Sequence, residues 1–242
     1  MTQIRASLPA DRWNAASADR SPANPLSERL RNTARSARDL AASAGLHRPR
    51  AMRGARTEKP FDAPVLRTSR LRLRPHRVSE ADLAGWFALQ SEASVREFLP
   101  WPERTRRQSE RHLRDRLRHT RLWQADDFLA LAVELDGALI GDVSLHLRRV
   151  AAEHRSLEIG WVLHPAHGGS GFATEAAQAM IDFAFETVGA QEVIAVTDAR
   201  NRRSVALARR LGFTERSQAA TGDRVFALSH ERCRLQRDHL AA

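Results

Sequence analysis

The sequence predicts an α+β domain, a mixed sheet with helices packed on it, on three observations. Short strand-like runs dominate the stretch from Pro64 to Leu163. A strand–helix–strand–helix unit then fills the stretch from Leu157 to Leu211. The chain from Pro64 onward, about 180 residues, is the size of a single core. Taken in order, Leu66, Leu71 and Leu73 alternate with arginines in "VLRTSRLRLRP" and read as one strand with a buried face. Ser79 opens a helix, because Ser-Glu-Ala-Asp supplies a cap and acidic first turn while Leu83, Trp86, Phe87 and Gln90 follow on a helical period. A second helix is predicted from Thr105 to Arg121, with Leu113 and Leu117 on a narrow apolar seam. "FLALAVELDGALIGDVSLHL" reads as two strands joined through Asp136-Gly137, a pair suited to the positive φ angles of a tight hairpin. "LEIGWVLH" is a further buried strand. A glycine-rich loop, a helix from Phe172 to Thr187, the strand "EVIAVTD", a helix from Asn201 to Leu211 and two strands around "FTERSQA" and "VFALSHE" complete the domain.

Composition narrows the function classes. Of 242 residues, 42% are hydrophobic and 28% charged, and the mean hydropathy is −0.48. No window approaches the 18 apolar residues of a membrane span, and the first 30 residues lack the apolar stretch of a secretory signal. A cytoplasmic protein with no membrane contact is expected. Cys233 is the one cysteine, which excludes a disulfide framework or a cysteine-built zinc site. Lys59 is the one lysine, so the domain has neither a P-loop lysine nor a catalytic lysine.

The charge is uneven: residues 1–60 carry a net +7 and the remaining 182 a net +3. With few large apolar residues, 1–62 is predicted to be a disordered Arg/Ala/Ser-rich extension, with at most a weak helix from Leu26 to Leu46, ahead of a domain spanning 63–242. The extension is either an electrostatic tether to nucleic acid or the ribosome, or a solvated segment without a role. Met52 is an alternative translation start.

"HPAHGGSGFATEA" carries the most chemical information. Gly168, Gly169 and Gly171 allow close backbone approach, and N–H groups at the start of a helix form an anion site. The same loop also reads as a plain strand-to-helix turn. A dinucleotide fingerprint fits poorly, since Thr174 stands where Gly or Ala is required. A polyphosphate held by backbone amides remains.

Several motifs in order, "TSRLRLRP", "VREFLPWPE", "LIGDVSL", "LEIGWVLHPAHGGSGFATEA", "DFAFETVGAQEVIAVTDARNRRSVALARRLGFTE" and "DRVFAL", resemble the GNAT superfamily of N-acetyltransferases over residues 64–230. Within it the sequence is similar to the RimJ/RimL-type group, which acetylates the N-terminal amine of ribosomal proteins. The resemblance implies a three-layer αβα fold and a mostly antiparallel sheet, in which a splayed parallel strand pair binds acetyl-CoA as co-substrate. It implies that backbone groups of Trp161, Val162 and Leu163 hold the pantetheine, and that Gly169, Ser170, Gly171, Phe172, Ala173 and Thr174 hold the pyrophosphate. The family pattern places Arg or Gln three residues before Gly171, where this chain has Gly168. The amide cradle survives that change and a side-chain contact is lost.

Direct transfer requires a neutral amine, hence a general base. Glu158, two residues before Gly160, is the candidate, with a solvent-facing strand residue as the alternative and Glu153, Asp142 and Glu97 in reserve. The backbone N–H near Val162 is the family's oxyanion donor. The chain has no tyrosine to protonate the departing thiolate. Asn201 and Ser204 match the group's "NxxS" motif, in which the Asn ties the pantetheine and the Ser reaches the sulfur; both also read as helix-capping residues. Arg202, Arg203 and Arg209 are candidates for the 3′-phosphate, or ordinary surface cations. Trp101 is placed at the acceptor mouth or in the core. His164 and His167 have metal-pair spacing without a supporting cluster, so no metal is expected, and Glu175 is assigned to its helix's first turn. The expected acceptor is a protein N-terminal amine. The alternatives are a small amine, such as an aminoglycoside or polyamine, and a non-catalytic acetyl-CoA- or RNA-binding module.

Overall fold

The computed structural model describes residues 3–4, 54–99, 101–218 and 222–241. Its strands are β1 (Gln3–Ile4), β2 (Arg56–Asp62), β3 (Leu66–Arg67), β4 (Arg72–Pro75), β5 (Arg121–Gln124), β6 (Phe128–Leu135), β7 (Ala138–Arg149), β8 (Ser156–Leu163), β9 (Glu192–Asp198), β10 (Thr214–Gln218) and β11 (Asp223–Ser229). The helices are α1 (Glu80–Ser91), α2 (Ala93–Arg96), α3 (Arg106–Arg116), α4 (Phe172–Asp182), α5 (Arg202–Arg210) and α6 (His230–Ala241). The main sheet runs β10-β11-β9-β8-β7-β6-β4-β3, antiparallel except for β8 and β9, with β1 added against β8. A separate ribbon pairs β2 with β5.

Period-2 alternation distributes the strand residues between two cores. Ile159, Trp161 and Leu163 join Ala177, Met180 and Ile181 of α4 on one face. Ala132, Leu139 and Val162 meet Trp86, Leu89 and Leu113 of α1 and α3 on the other. Helices therefore cover both faces, as the α+β reading requires. Arg74 anchors α1 to the sheet: its guanidinium is bidentate to Asp82 at 2.8 and 2.6 Å and also pairs with Glu134 on β6. Among the described residues no helix is long and apolar enough to cross a membrane.

Several boundaries differ from expectation. The run from Val65 to Pro75 is two strands, because Thr68 folds it into a turn whose Oγ1 accepts from Leu71 N–H at 2.9 Å. The helix predicted to Arg121 has the expected start, a capping box of Thr105 and Gln108, but gives way after Arg116 to β5, whose backbone pairs with β2. That ribbon also corrects the predicted disordered extension. Phe61 is buried in the main core and Glu58 pairs with Arg155, so residues 56–62 belong to the folded domain. β1 likewise lies within the segment expected to be disordered. The proposed helix at Leu26–Leu46 and the start at Met52 lie outside the described residues. Helix α6 replaces the expected end of the last strand.

Gly85 lets α1 press on β7, since a Cβ there would stand 2.6 Å from the carbonyl oxygen of Leu139. Helix propensity alone favours alanine over glycine by about 1 kcal/mol. The backbone obstacle reverses that sign, and Gly85→Ala is expected to lose about 1–2 kcal/mol, read as a lower urea midpoint.

Candidate active site

β8 and β9 are paired in parallel from Ser156↔Glu192 to Ile159↔Ala195 and no further. Beyond that, β8 stays with β7 through Leu163↔Gly141, and β9 stays with β11 through Asp198↔Asp223. The two strands part, and the β9-facing backbone of residues 160–163 becomes an edge inside the fold, met at Trp161 and Val162 by β1. Such an edge presents N–H and C=O groups to an extended partner.

After β8 come a short 3₁₀ turn at Pro165–His167 and then Gly168, Gly169, Ser170 and Gly171. Gly169 and Gly171 have φ angles of 84° and 81°, which side chains with a Cβ rarely adopt. Gly171 is the N-cap of α4 and no side chain caps the helix, so the first amides, of Phe172, Ala173 and Thr174, suit an anion. A hairpin turn braces this loop. Glu175 accepts from Thr68 Oγ1 at 2.5 Å, Ser69 Oγ at 3.0 Å, Arg70 N–H at 2.9 Å and Arg70 Nε at 2.8 Å. Burial raises the Glu175 carboxyl, but these donors outweigh it and lower it to about 2. Arg70 also donates to the Ser170 carbonyl at 2.9 Å and lies 4.5 Å above the Phe172 ring.

At the start of α5, buried Asn201 accepts through Oδ1 from the N–H of fully buried Ser204 at 3.1 Å. Arg202, Arg203 and Arg209 are exposed, and Arg209 lies 3.3 Å from Glu215. Arg210 donates to Thr174 Oγ1 at 3.3 Å and so links α5 to α4.

The face toward α1 and α3 carries three cross-strand pairs: His146 with Glu158, Ser144 with Gly160 and Asp142 with Val162. Glu158 is 1% exposed and accepts from Arg148 Nε at 3.0 Å. Asp142 meets His76 Nε2 at 2.7 Å and accepts from Arg116 at 2.8 Å. Trp86 packs on His76, on His112 and on half-buried Trp101, with ring centroids 5.2, 5.6 and 5.6 Å apart. Burial first, then the charges of Arg116 and Arg104, lower the His112 ring to about 2. The ring is therefore neutral, and its Nδ1 accepts from the Gln90 amide at 2.8 Å. Arg200, paired with Asp198, lies 5.9 Å over the Phe98 ring.

A family model described as "Acetyltransferase (GNAT) domain" matches residues 70–214. The chain belongs to the GNAT acetyltransferase family. Two relatives are the "Putative ribosomal N-acetyltransferase YdaF" of Bacillus subtilis (strain 168), 32% identical over 96 residues (40% of this chain, 51% of that protein), and the spermidine N(1)-acetyltransferase of Escherichia coli (strain K12), 30% identical over 82 residues (34% and 43%). The chain spans about half the length of these relatives. The Microcin C7 self immunity acetyltransferase MccE, solved with acetyl-CoA and AMP, shares the fold with a TM-score of 0.55 at 17% identity over 67% of this chain and 93% of that one.

In this family member Trp161, Val162 and Leu163 lie on the interior edge, Gly169 to Thr174 at its far end, and Asn201 and Ser204 at the start of the helix that follows β9. Glu158 precedes the parting and is buried, which removes the solvent-facing alternative. Of the reserve acids, Asp142 shares its face, whereas Glu153 is exposed beyond the opposite end of β8 and Glu97 is exposed after α2. Glu92 comes within 3.7 Å of His164, a carboxylate the spacing did not suggest, yet no metal-binding group of three or more side chains occurs among the described residues. Cys233 is buried in the core. Sequence reasoning missed Arg148, His76, Arg116 and Arg70. Their partners lie 10 to 105 residues away, and an arginine-rich chain offers no local signal for choosing among them.

His112 makes stability depend on pH. Above about pH 6.5 the ring is neutral in both states; below it the unfolded chain binds a proton that the native ring refuses, so stability falls with pH, on the order of 2 kcal/mol by pH 5. His112→Phe keeps a ring against Trp86 but cannot titrate. Its melting temperature is expected to fall less between pH 7.5 and pH 5 than that of the wild type, whatever its starting value.

Proposed function

We propose that this enzyme transfers the acetyl group of acetyl-CoA directly to the N-terminal amine of a protein, in the manner of the RimJ/RimL-type group. Acetyl-CoA supplies an activated thioester carbonyl for attack by that amine. Two features support the fit of the cleft. The interior edge suits the amide-bearing pantetheine arm, with Trp161, Val162 and Leu163 as its backbone partners. The uncapped start of α4, behind the left-handed Gly169 and Gly171, suits the pyrophosphate on Gly169, Ser170, Gly171, Phe172, Ala173 and Thr174. Asn201 would hold the arm at the start of α5, with Ser204 as proton donor to the sulfur.

The chain's part in the chemistry is to remove a proton from the amine. Glu158 is assigned that role. It lies against Arg148, and Gly160 adds no side chain to the face between Glu158 and Val162. Trp101 is assigned to the acceptor side.

Charge is the observation that carries the choice of acceptor. Each carboxylate on this face is matched by arginine, Glu158 by Arg148 and Asp142 by Arg116. A polyamine's additional cations gain little beside carboxylates already paired. A peptide N-terminus brings one amine followed by backbone. The net +7 of residues 1–60 would aid approach to ribosomal RNA, and this role belongs to the cytoplasm. An assay of CoA thiol release with N-terminal peptides, spermidine and aminoglycosides is expected to give the highest kcat/KM for a peptide. A higher value for spermidine overturns the acceptor, and no release with any amine overturns catalysis.

Glu158→Gln is expected to keep acetyl-CoA affinity while lowering kcat by roughly 10²–10⁴-fold, with partial recovery as pH rises and the amine deprotonates in solution. Wild-type rates from pH 6 to 10 would remove Glu158 from the mechanism. Gly171→Val places a β-branched residue at a φ of 81° beside the pyrophosphate site. The folded variant is expected to lose acetyl-CoA binding by calorimetry.

A further inference from the structure

We propose that Arg104 is an anion subsite on the acceptor side, which takes the side-chain carboxylate of an Asp or Glu just behind the N-terminal residue of the peptide acceptor. The proposal rests on the reading of the acceptor as a protein N-terminal amine.

Placement is the first support. Arg104 lies between Trp101 and Thr105, the N-cap of α3. Its charge acts on both His112 and Arg116, so it belongs to the aromatic wall above β7 and β8. That wall is a continuous row. His146, opposite Glu158, stacks on Phe128 with ring centroids 4.2 Å apart. The Arg116 guanidinium lies 4.8 Å from the centre of the Phe128 ring and 5.4 Å from that of Trp86, which packs in turn on His112 and Trp101. The row leads from the assigned base to the assigned acceptor side.

Charge is the second support. Glu158 has Arg148 and Asp142 has Arg116, whereas Arg104 meets no carboxylate among the described residues. The ion pairs of the wall leave one cation over. Its Nη1 is buried without a hydrogen-bond partner, as is Nε of Arg116. Burial first, and then the Arg116 charge, lower the Arg104 guanidinium from its usual range. An arginine stays protonated even so, and a partly desolvated cation beside a second cation attracts an anion strongly. Arg104 is only half-buried, so a ligand can reach it from solvent.

Spacing is the third support, and it selects the source of the anion. The rings of His146 and Phe128 stand between Glu158 and the Arg104–Arg116 pair. The α-carboxylate of a free amino acid sits on the same carbon as its amine and spans no such gap. A side chain one or two residues along an extended peptide does, at about 3.3 Å per residue. Its carboxylate also offers two coplanar oxygens to the guanidinium fork.

The test uses tetrapeptides amidated at the C-terminus, with Asp, Ala or Lys behind an N-terminal Ala. Wild-type kcat/KM is expected to be about 10-fold higher for the Asp peptide than for the Ala peptide and lowest for Lys, with the preference shrinking as salt is raised. Each preference is a ratio within one enzyme, so it does not depend on how much of a variant folds. Arg104→Gln should bring the Asp-to-Ala ratio near one, and Arg104→Glu should invert the preference toward Lys. Equal wild-type values for Asp and Ala, or a ratio kept by Arg104→Gln, overturn the subsite and leave the N-terminal acceptor standing. If freeing the C-terminal carboxylate of the Ala peptide raises kcat/KM more than Asp does, the anion is a C-terminus and the side-chain source is overturned. A wild type that acetylates none of the peptides overturns the acceptor reading and the subsite with it.

Discussion

Hydrogen bonding between β8 and β9 ends at Ile159 and Ala195, and the chemistry available to this fold depends on that ending. Each strand keeps its outer neighbour, β7 for one and β11 for the other, so the sheet divides without losing either half. The division creates unpaired backbone in the middle of a folded domain, where buried polar groups must find partners. An extended ligand meets that demand. The cleft is thus defined first by backbone geometry, and the side chains around it refine what it accepts.

Two sets of long-range contacts hold the cleft in shape. On the α4 side, the turn at Thr68–Arg70 surrounds Glu175 with donors and reaches the Ser170 carbonyl, so the glycine loop is supported by a hairpin 100 residues earlier in the chain. A carboxylate satisfied so fully is a structural strut and not a reactant. On the opposite face, Asp142 joins His76 and Arg116, while Trp86 packs on His76, His112 and Trp101. The same packing that desolvates His112 keeps its ring neutral and orders the wall above β7 and β8.

Charge balance distinguishes this wall. The chain is strongly basic, with 39 Lys and Arg against 29 Asp and Glu, and its arginines seek out the few carboxylates within reach. Glu134, Asp82, Asp142 and Glu158 each lie in contact with arginine. Burying a carboxylate without such a partner would be costly, so the arginine content and the paired face are two views of one requirement.

Much of this was legible in the sequence because it rests on local chemistry. Asp136-Gly137 turned a hairpin, with positive φ at both residues. A helix began at Thr105, and the glycines before Phe172 opened a loop onto α4. Periodicity placed the strands from Phe128 onward, and ordered motifs pointed to the family. The tertiary structure alone decided the rest. Only cross-strand pairing showed Glu158 buried against Arg148, Phe61 recruited into the core from a segment whose composition read as disordered, and residues 3–4 set on β8. Composition and periodicity report what a residue prefers, over a turn of helix or a few positions of strand. Which of 38 arginines meets a given carboxylate, and which strand covers an edge more than 150 residues away, depends on contacts formed only once the whole chain has folded.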